Sequence, residues 1–385
     1  MCGDVCPKHC ISFAEDREGF YYPVVSEDLC IDCGACRKKC PALNASLNES
    51  VKTCLSAYAK GKCVRDLGSS GGVFSLLATF VFNDGGVVYG AAFDSHLKLR
   101  HRRTDKIEEL KPLCKSKYLQ SDCMGIYTKV REDLDAGRQV LFAGTPCLVQ
   151  ALRNYLSGRY DDRLLLVDFV CHGVPNQKLF DENLRWNGKR YGLVKSIEFR
   201  YKDKKVLHPQ TLKMVYEKDG KEKSKLRMHY QDPFYFGFQK HITLRPSCYH
   251  CQWAKPERCS DITLADFWGV EKAKLGLDSK KGVSCLLLNT PRGQTMFTQI
   301  QRHLEGVNTL PMAFAVANNG CLGHATRMPK NRGDFFNDWL QDGYDAVVDK
   351  YLRSKRKWMF DLYYGIPKPI RKIVRKLMDS RMKYE

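Results

Sequence analysis

The stretch CIDCGACRKKCP, residues 30–41, constrains this chain more than any other segment. It sets Cys30, Cys33, Cys36 and Cys40 in the spacing C-x2-C-x2-C-x3-C, closed by Pro41. So short a loop aims three thiolates at one point. Gly34 and Ala35 are small, so the backbone can curl close and turn its N–H groups toward the sulfurs. This is the ligand spacing of a 4Fe–4S cluster. Zinc sites use paired C-x2-C knuckles around one tetrahedral ion, which accounts poorly for three close cysteines and a C-P.

In two-cluster ferredoxins the fourth cysteine of such a run ligates the other cluster, because it sits too far round to close the same cube. The chain opens MCGDVCP, which reads as the tail of the same pattern. Cys6, before Pro7, is therefore expected to complete the cube of Cys30, Cys33 and Cys36. Cys2 and Cys40 supply half of a second site. Either the true start lies upstream or the protein keeps one cluster, with Cys10, Cys54 and Cys63 as possible substitutes. Between the runs, Ile11 and Phe13, a turn at Gly19, then Tyr21, Val24 and Val25 predict a hairpin. The 4Fe–4S ferredoxin-type domain is expected to end at residue 48.

The chain has 385 residues, of which 43% are apolar, enough for two or three domains. Its 18 cysteines do not fit a disulfide scaffold, since such chains are usually small and lack a large core. A reducing cytoplasm is expected. GGVFSLLATFVF, residues 71–82, is too short to span a bilayer and predicts a buried helix. No charged n-region precedes an apolar stretch at the N-terminus, so no signal peptide is visible.

Past residue 48, GSSGG at 68–72 precedes the helix-like stretch 73–82. A Gly-rich turn before a helix presents backbone N–H groups and the positive end of a dipole, which suits a phosphate. Ser69 and Ser70 can add donors or cap the helix, and a plain capped helix is the simpler alternative. Strands are predicted over 85–93, 97–103, 139–144, 164–170, 196–202, 211–217 and 283–289. Helices are predicted over 126–134 and 148–156 and after CHGVP. Two short apolar strands that each run into a helix imply parallel βα units. In such sheets ligands gather beyond the carboxyl ends of the strands, where Cys147, Cys171 and His172 fall. Cys147, Cys171, Cys248 and Cys251 can converge on a further cluster, with Cys259 as substitute. A zinc knuckle of Cys248, Cys251 and Cys259 is the alternative, and so are unligated thiols. Cys54, Cys114, Cys123, Cys285 and Cys321 read as free thiols.

The ordered segments SSGG, SKYLQS (116–121), AGTPC, DFVCHGVP, CYHC and SDITLADFWG, behind a ferredoxin module, resemble the coenzyme F420 hydrogenase/dehydrogenase beta-subunit family over residues 1 to about 320. The resemblance implies an α+β chain: a small 4Fe–4S ferredoxin-like domain followed by a mixed α/β flavin-binding domain. Its parts would be 49–135, 136–325 and a basic helical tail, 326–385. It implies an oxidoreductase in which clusters pass single electrons and FAD exchanges a hydride with an organic partner. By that analogy Ser69, Ser70, Gly71 and Gly72 lie against the flavin pyrophosphate. Lys117, Tyr118, Gln120 and Ser121 lie near the flavin. The first cysteine motif departs from the family pattern, and no residue here indicates F420 as the substrate.

The net charge is +20, and residues 351–385 hold 11 Lys/Arg against 3 Asp/Glu. In that tail Ile370, Ile373, Val374, Leu377 and Met378 recur at helical spacing, with Arg371, Lys372, Arg375 and Lys376 between them. Such a helix can lie on an anionic membrane surface, dock on an acidic partner, or remain a solvated terminal helix. Nucleic acid is not expected as a partner, because no helix-turn-helix, finger or RNA-recognition motif is present. The expected partners are a small organic substrate and a redox protein or soluble electron carrier. A subunit without its own substrate, serving a partner enzyme, is the competing expectation. His172 and Asp266 are the candidates for proton handling.

Overall fold

The computed structural model describes residues 1–48, 53–160, 162–202, 209–278 and 282–354, together with 358, 362, 366 and 370. Contacts divide the chain into two units, Met1–Gly173 with Arg245–Thr326, and Val174–Leu244 with Arg327–Glu385.

The first unit begins with the predicted hairpin. β1 (Ile11–Glu15) and β2 (Tyr21–Val25) pair antiparallel, Ile11 opposite Val25 and Glu15 opposite Tyr21. Gly19 turns the chain at φ +80°, and Asp16 Oδ1 accepts from the Phe20 amide at 2.9 Å. Two short helices, Cys2–Val5 and Ala35–Lys39, pack together beside it. Gly34 caps the second at φ +66°, a conformation that costs glycine nothing.

The body of this unit is an eight-stranded sheet. Its strands are β3 (Thr53–Ala59), β4 (Val87–Phe93), β5 (Leu99–Thr104), β6 (Val140–Ala143), β7 (Leu164–Phe169), β11 (Ile262–Asp266), β12 (Ser284–Leu288) and β13 (Leu304–Thr309), in the order β13-β3-β12-β11-β7-β6-β4-β5. The middle four, β11, β7, β6 and β4, run parallel, and the outer pairings are antiparallel. β6, and β7 apart from Asp168, are apolar runs because both their faces are covered. Alternate residues feed two cores. Leu141, Leu165 and Val167 pack with Leu77 and Ala78 of the helix Val73–Asn83. Val140, Phe142, Leu164 and Leu166 pack with Tyr127 and Val130 of the helix Ile126–Asp135 and Leu152 of the helix Pro146–Leu156. The parallel strands all end on one edge of the sheet, which places the turns after β6, β7 and β11 together.

The second unit holds a three-stranded antiparallel sheet of β8 (Leu193–Phe199), β9 (Thr211–Lys218) and β10 (Lys221–Met228), in the order β10-β9-β8. The helix Gln177–Tyr191 is capped by Asn176, whose Oδ1 accepts from the Leu179 amide at 2.6 Å. Phe180, Phe199, Phe234 and Tyr235 form an edge-to-face aromatic core. The helix Arg332–Tyr351 buries Phe335, Phe336, Trp339, Val347 and Val348 and kinks at Gly343, φ +79°. It is thus a packed element, although the sequence groups it with a basic tail. The amphipathic pattern at 370–378 lies outside the described residues except for Ile370. Among the described residues no helix is long and apolar enough to cross a membrane. The fold is the expected α+β arrangement, a small cysteine-bearing N-terminal segment followed by a larger α/β body.

Candidate metal centres

None of the 18 cysteines is in a disulfide. Those of the N-terminal segment sit on the two short helices and the turns beside them. Cys30 follows a tight turn in which its amide donates to Ser26 O at 3.1 Å, and Cys40 closes the helix Ala35–Lys39 with a bond to Arg37 O at 3.2 Å. Cys30 and Cys33 are exposed, Cys36, Cys40 and Cys2 are half-buried, and Cys6 and Cys10 are buried. Cys6 and Cys10 approach to 3.3 Å between sulfurs. Hydrogen bonds from the Cys10 amide and thiol lower the Cys6 thiol below its usual range. The bond to Cys6 drives Cys10 up to about 11, aided by burial and by the neighbouring Cys30. Cys6 and Cys30 are therefore joined through Cys10, a residue the spacing argument offered only as a substitute. Cys2 is raised by burial, and the nearby Cys40 and Cys36 push the same way.

The second set assembles at the carboxyl edge of the parallel strands. Cys147 is the second residue of the helix that follows β6, and Cys171 stands two residues past β7. Cys248 lies in the turn Pro246–His250 and Cys251 just after it. Burial pushes the Cys171 thiol well above its usual range, and the sulfurs of Cys248, Cys147 and Cys251 add to the rise. Cys147 is likewise raised by burial and then by Cys251, against the hydroxyl of Thr145 at 3.1 Å. Four thiols from three separate loops thus feel one another at this edge, Cys147 exposed and Cys171, Cys248 and Cys251 half-buried. Four soft thiolates with no nitrogen or carboxylate among them suit an iron–sulfur cluster. Among the described residues no three His, Cys, Asp or Glu close on a point as a single ion requires. Cys259 is drawn elsewhere: it is 1% exposed, hydrogen-bonds the Pro146 carbonyl at 3.3 Å and belongs to the core under β6 and β7.

Arg258, which nothing in the sequence singled out, holds these loops in place. One guanidinium nitrogen donates to Trp253 O at 2.6 Å and Lys255 O at 3.3 Å. The other donates to Asp168 Oδ2 at 3.0 Å and Phe169 O at 3.2 Å. The segment after Cys251 is thereby tied to β7, the strand that leads to Cys171. Burial pushes the Asp168 carboxyl up, and Arg258 pulls it back toward the charged form.

The glycine-rich turn is held by its own chain. Ser70 Oγ donates to Val283 O at 2.6 Å, and the Gly71 amide donates to Ser284 Oγ at 2.9 Å. Ser69 Oγ accepts from the Ser116 amide at 2.8 Å, which joins the SSGG and SKYLQS segments across 47 residues of sequence. Neither serine caps the following helix. Gly72 is its N-cap at φ +79°, and no side chain caps the helix. Lys117 Nζ donates to Cys114 O at 2.6 Å, Gln120 Oε1 accepts from Arg245 at 3.0 Å, and Ser121 Oγ meets His101 Nδ1 at 2.8 Å. Tyr118 is half-buried in the same stretch.

His101 was missed in sequence because a lone histidine in a basic strand carries no signal. Its Nε2 donates to Ala143 O at 3.1 Å, so Nδ1 accepts from Ser121 and from Cys123 Sγ at 3.0 Å. Burial lowers its pKa to about 4. His172 and Asp266 both lie at the carboxyl edge, half-buried; the His172 carbonyl accepts from Thr326 Oγ1 at 2.7 Å, and Asp266 ends β11 opposite Ser284.

Comparison with known proteins agrees with this division. Residues 23–43 match the family profile for a 4Fe-4S binding domain. Forty residues are 50% identical to a 7Fe ferredoxin of Hydrogenibacillus schlegelii, an alignment that spans 10% of this chain and 45% of that ferredoxin. A chain of the F420-reducing [NiFe] hydrogenase complex from Methanosarcina barkeri aligns over 80% of this chain and 93% of its own length at 16% identity, with a TM-score of 0.46. Residues 137–307, which carry β6 to β12, most of β13 and all four cysteines of the second set, match the profile for the C terminus of the coenzyme F420 hydrogenase/dehydrogenase beta subunit, behind the segment that matches a 4Fe-4S binding domain.

Proposed function

We propose that the chain is an iron–sulfur flavoprotein oxidoreductase that relays electrons between 4Fe–4S clusters and FAD, and from FAD to an organic substrate or coenzyme. The observation that carries this reading is the gathering of Cys147, Cys171, Cys248 and Cys251 at the sheet edge where ligands of parallel sheets bind. Cys6, Cys30, Cys33 and Cys36 hold the N-terminal cluster, with Cys2 and Cys40 as two ligands of another. Residues 1–48 then act as the electron port and residues 49–325 as the oxidoreductase body.

A flavin bound here supplies the exchange between one-electron and two-electron carriers. The uncapped first turn of the helix Val73–Asn83 supports a pyrophosphate at that point. The contribution of Ser69, Ser70 and Gly71 is to fix the turn, since their hydroxyls and amide are already bonded within the chain. Lys117, Tyr118, Gln120 and Ser121 stand alongside through the Ser69–Ser116 link. His172 and Asp266, at the sheet edge, are the groups placed to hold or move a proton.

The family description names a beta subunit. That favours a second reading, an electron-transfer subunit that serves a partner enzyme. Anaerobic purification with an iron count and an absorbance spectrum tests both. About 8 irons per chain, for the two four-cysteine sets, or about 12 where Cys2 and Cys40 also hold a cluster, with a releasable yellow chromophore support the first reading. Iron without flavin supports the second, and colourless or zinc-bearing protein removes both.

A further inference from the structure

Gln252 directly follows Cys251 of the second set, and its Nε2 donates to Pro41 O at 3.1 Å and to Ala42 O at 3.3 Å. Pro41 directly follows Cys40 of the N-terminal set. One hydrogen bond therefore closes a continuous run of bonds between two cysteine sulfurs. The run leaves the Cys40 sulfur, passes the Pro41 carbonyl and the Gln252 side chain, and reaches the Cys251 sulfur through the Gln252 backbone. Each end adjoins further ligands. Cys40 caps the helix Ala35–Lys39, one turn past Cys36 and on the same face. Cys251 shares its C-x2-C pair with Cys248.

Other bonds seat the N-terminal segment on the body, but none joins two residues that each adjoin a cysteine ligand. Asn154 Nδ2 donates to Lys39 O at 3.1 Å and to Asn44 O at 2.8 Å, and Gln150 Oε1 accepts from the Ser46 amide at 3.1 Å. Both side chains belong to the helix Pro146–Leu156, Asn154 about two turns past Cys147. Arg245 holds Tyr21 O at 3.0 Å, in the hairpin. Gln252 is thus distinguished by its position. Asn154, Gln150 and Arg245 still seat the segment when the Gln252 amide is lost. Position matters because tunnelling electrons are attenuated far less by covalent and hydrogen bonds than by a gap.

We propose that Gln252 is the positioning residue of the electron path between the two sets of cysteines, holding Cys251 to the Cys40 end of the N-terminal segment. Each transfer moves one electron: the cluster of one set is oxidised by one electron, that of the other is reduced by one, and no bond or proton changes hands. This rests on the electron-relay reading, and the test separates the two. Gln252→Met keeps the length of the side chain without a donor. Gln252→His keeps an N–H the same number of bonds from the backbone. The full chain with its iron is mixed anaerobically with less than one equivalent of methyl viologen radical, a one-electron reductant. Samples frozen at intervals are read by electron paramagnetic resonance. The cluster signals relax to their final ratio at a rate that reads transfer between clusters, whichever is reduced first, and independence of protein concentration shows that the transfer is internal. Gln252→Met should slow the relaxation severalfold, and Gln252→His should restore it. Asn154→Leu, which removes two seating bonds away from the path, should leave it unchanged. In all three the iron content and the hydrogen exchange of the Asn44 and Ser46 amides should match the unmodified protein. An unchanged rate in Gln252→Met with full iron would overturn the path alone. So would equal slowing in Gln252→Met and Asn154→Leu, since seating in general would then set the rate. Unmodified protein with about 4 irons, a single cluster, would remove the relay reading and the path with it.

Discussion

Arg258 and Asp168 form a 3.0 Å ion pair whose side chains are 1% and 0% exposed. The pair ties the loop before β11 to β7, next to the parallel pairing that sets Thr263 opposite Asp168. Removing one partner of a buried pair leaves the other charge unpaired and costs about 3–5 kcal/mol. Arg258→Met should therefore lower the thermal midpoint sharply. It should also free the Trp253 and Lys255 carbonyls and loosen Cys251 from Cys171, so that iron falls by about 4 per chain, the content of one cluster. Arg258→Met combined with Asp168→Leu removes both charges and should recover much of the midpoint. The iron should stay low, because the carbonyl contacts are still lost. Full iron in the single variant would refute the positioning role.

The 3.3 Å approach of Cys6 and Cys10 makes a sharp prediction about the N-terminal cluster. Cys6→Ala should retain part of the cluster, with Cys10 taking over as ligand and a shifted electron paramagnetic resonance signal. Cys10→Ala should leave the iron content unchanged. Cys6→Ala with Cys10→Ala should lose about 4 irons, the content of the whole cluster. If Cys6→Ala alone already loses them, Cys10 is a buried spectator.

The sequence was legible where a local rule decides structure. The C-x2-C-x2-C-x3-C run, the hairpin, and the buried strands β6 and β7 all follow from spacing or alternation. It was illegible where long-range placement decides. Arg258 lies 90 residues from Asp168, and a charged residue reads as surface until its partner is known. β3 and β11 went unassigned, although one is an inner strand beside the edge and the other the link between the parallel and antiparallel halves. The glycine-rich turn reads as donors for a ligand or a plain capped helix, and its bonds within the chain are not visible in sequence: Ser70 and the Gly71 amide hold Val283 and Ser284, and Ser69 holds Ser116.

That last point is testable. A methyl group at Gly71 would stand 2.7 Å from Ala57 O and 2.9 Å from Ser284 N, both backbone atoms that cannot swing away. Gly71→Ala should cost about 1–3 kcal/mol by overpacking. Gly188, inside a helix with nothing within 4 Å of a new methyl, is the control, and Gly188→Ala should stabilise by about 0.5–1 kcal/mol. Chemical denaturation followed by circular dichroism compares the two. Equal, small effects would mean that the turn is not clamped between β3 and β12.

His101 predicts how stability responds to acid. Burial holds its folded-state pKa at about 4, against an ordinary 6.5, so the folded protein resists the proton that the unfolded chain accepts. The stabilisation is complete above pH 6.5, declines as the pH falls through the window between 6.5 and about 4, and is gone below it. Linkage gives a loss of about 1.4 kcal/mol by pH 5.5. His229 in the second unit, also lowered to about 4 by burial, contributes in the same direction, so the comparison must isolate one site. His101→Gln keeps a donor for Ala143 O but cannot titrate. The stability advantage of the unmodified protein over this variant should shrink between pH 7 and pH 5.5, measured anaerobically by thermal unfolding. A difference that stays constant over that range would show that His101 takes up its proton as easily in the folded chain as in the unfolded one.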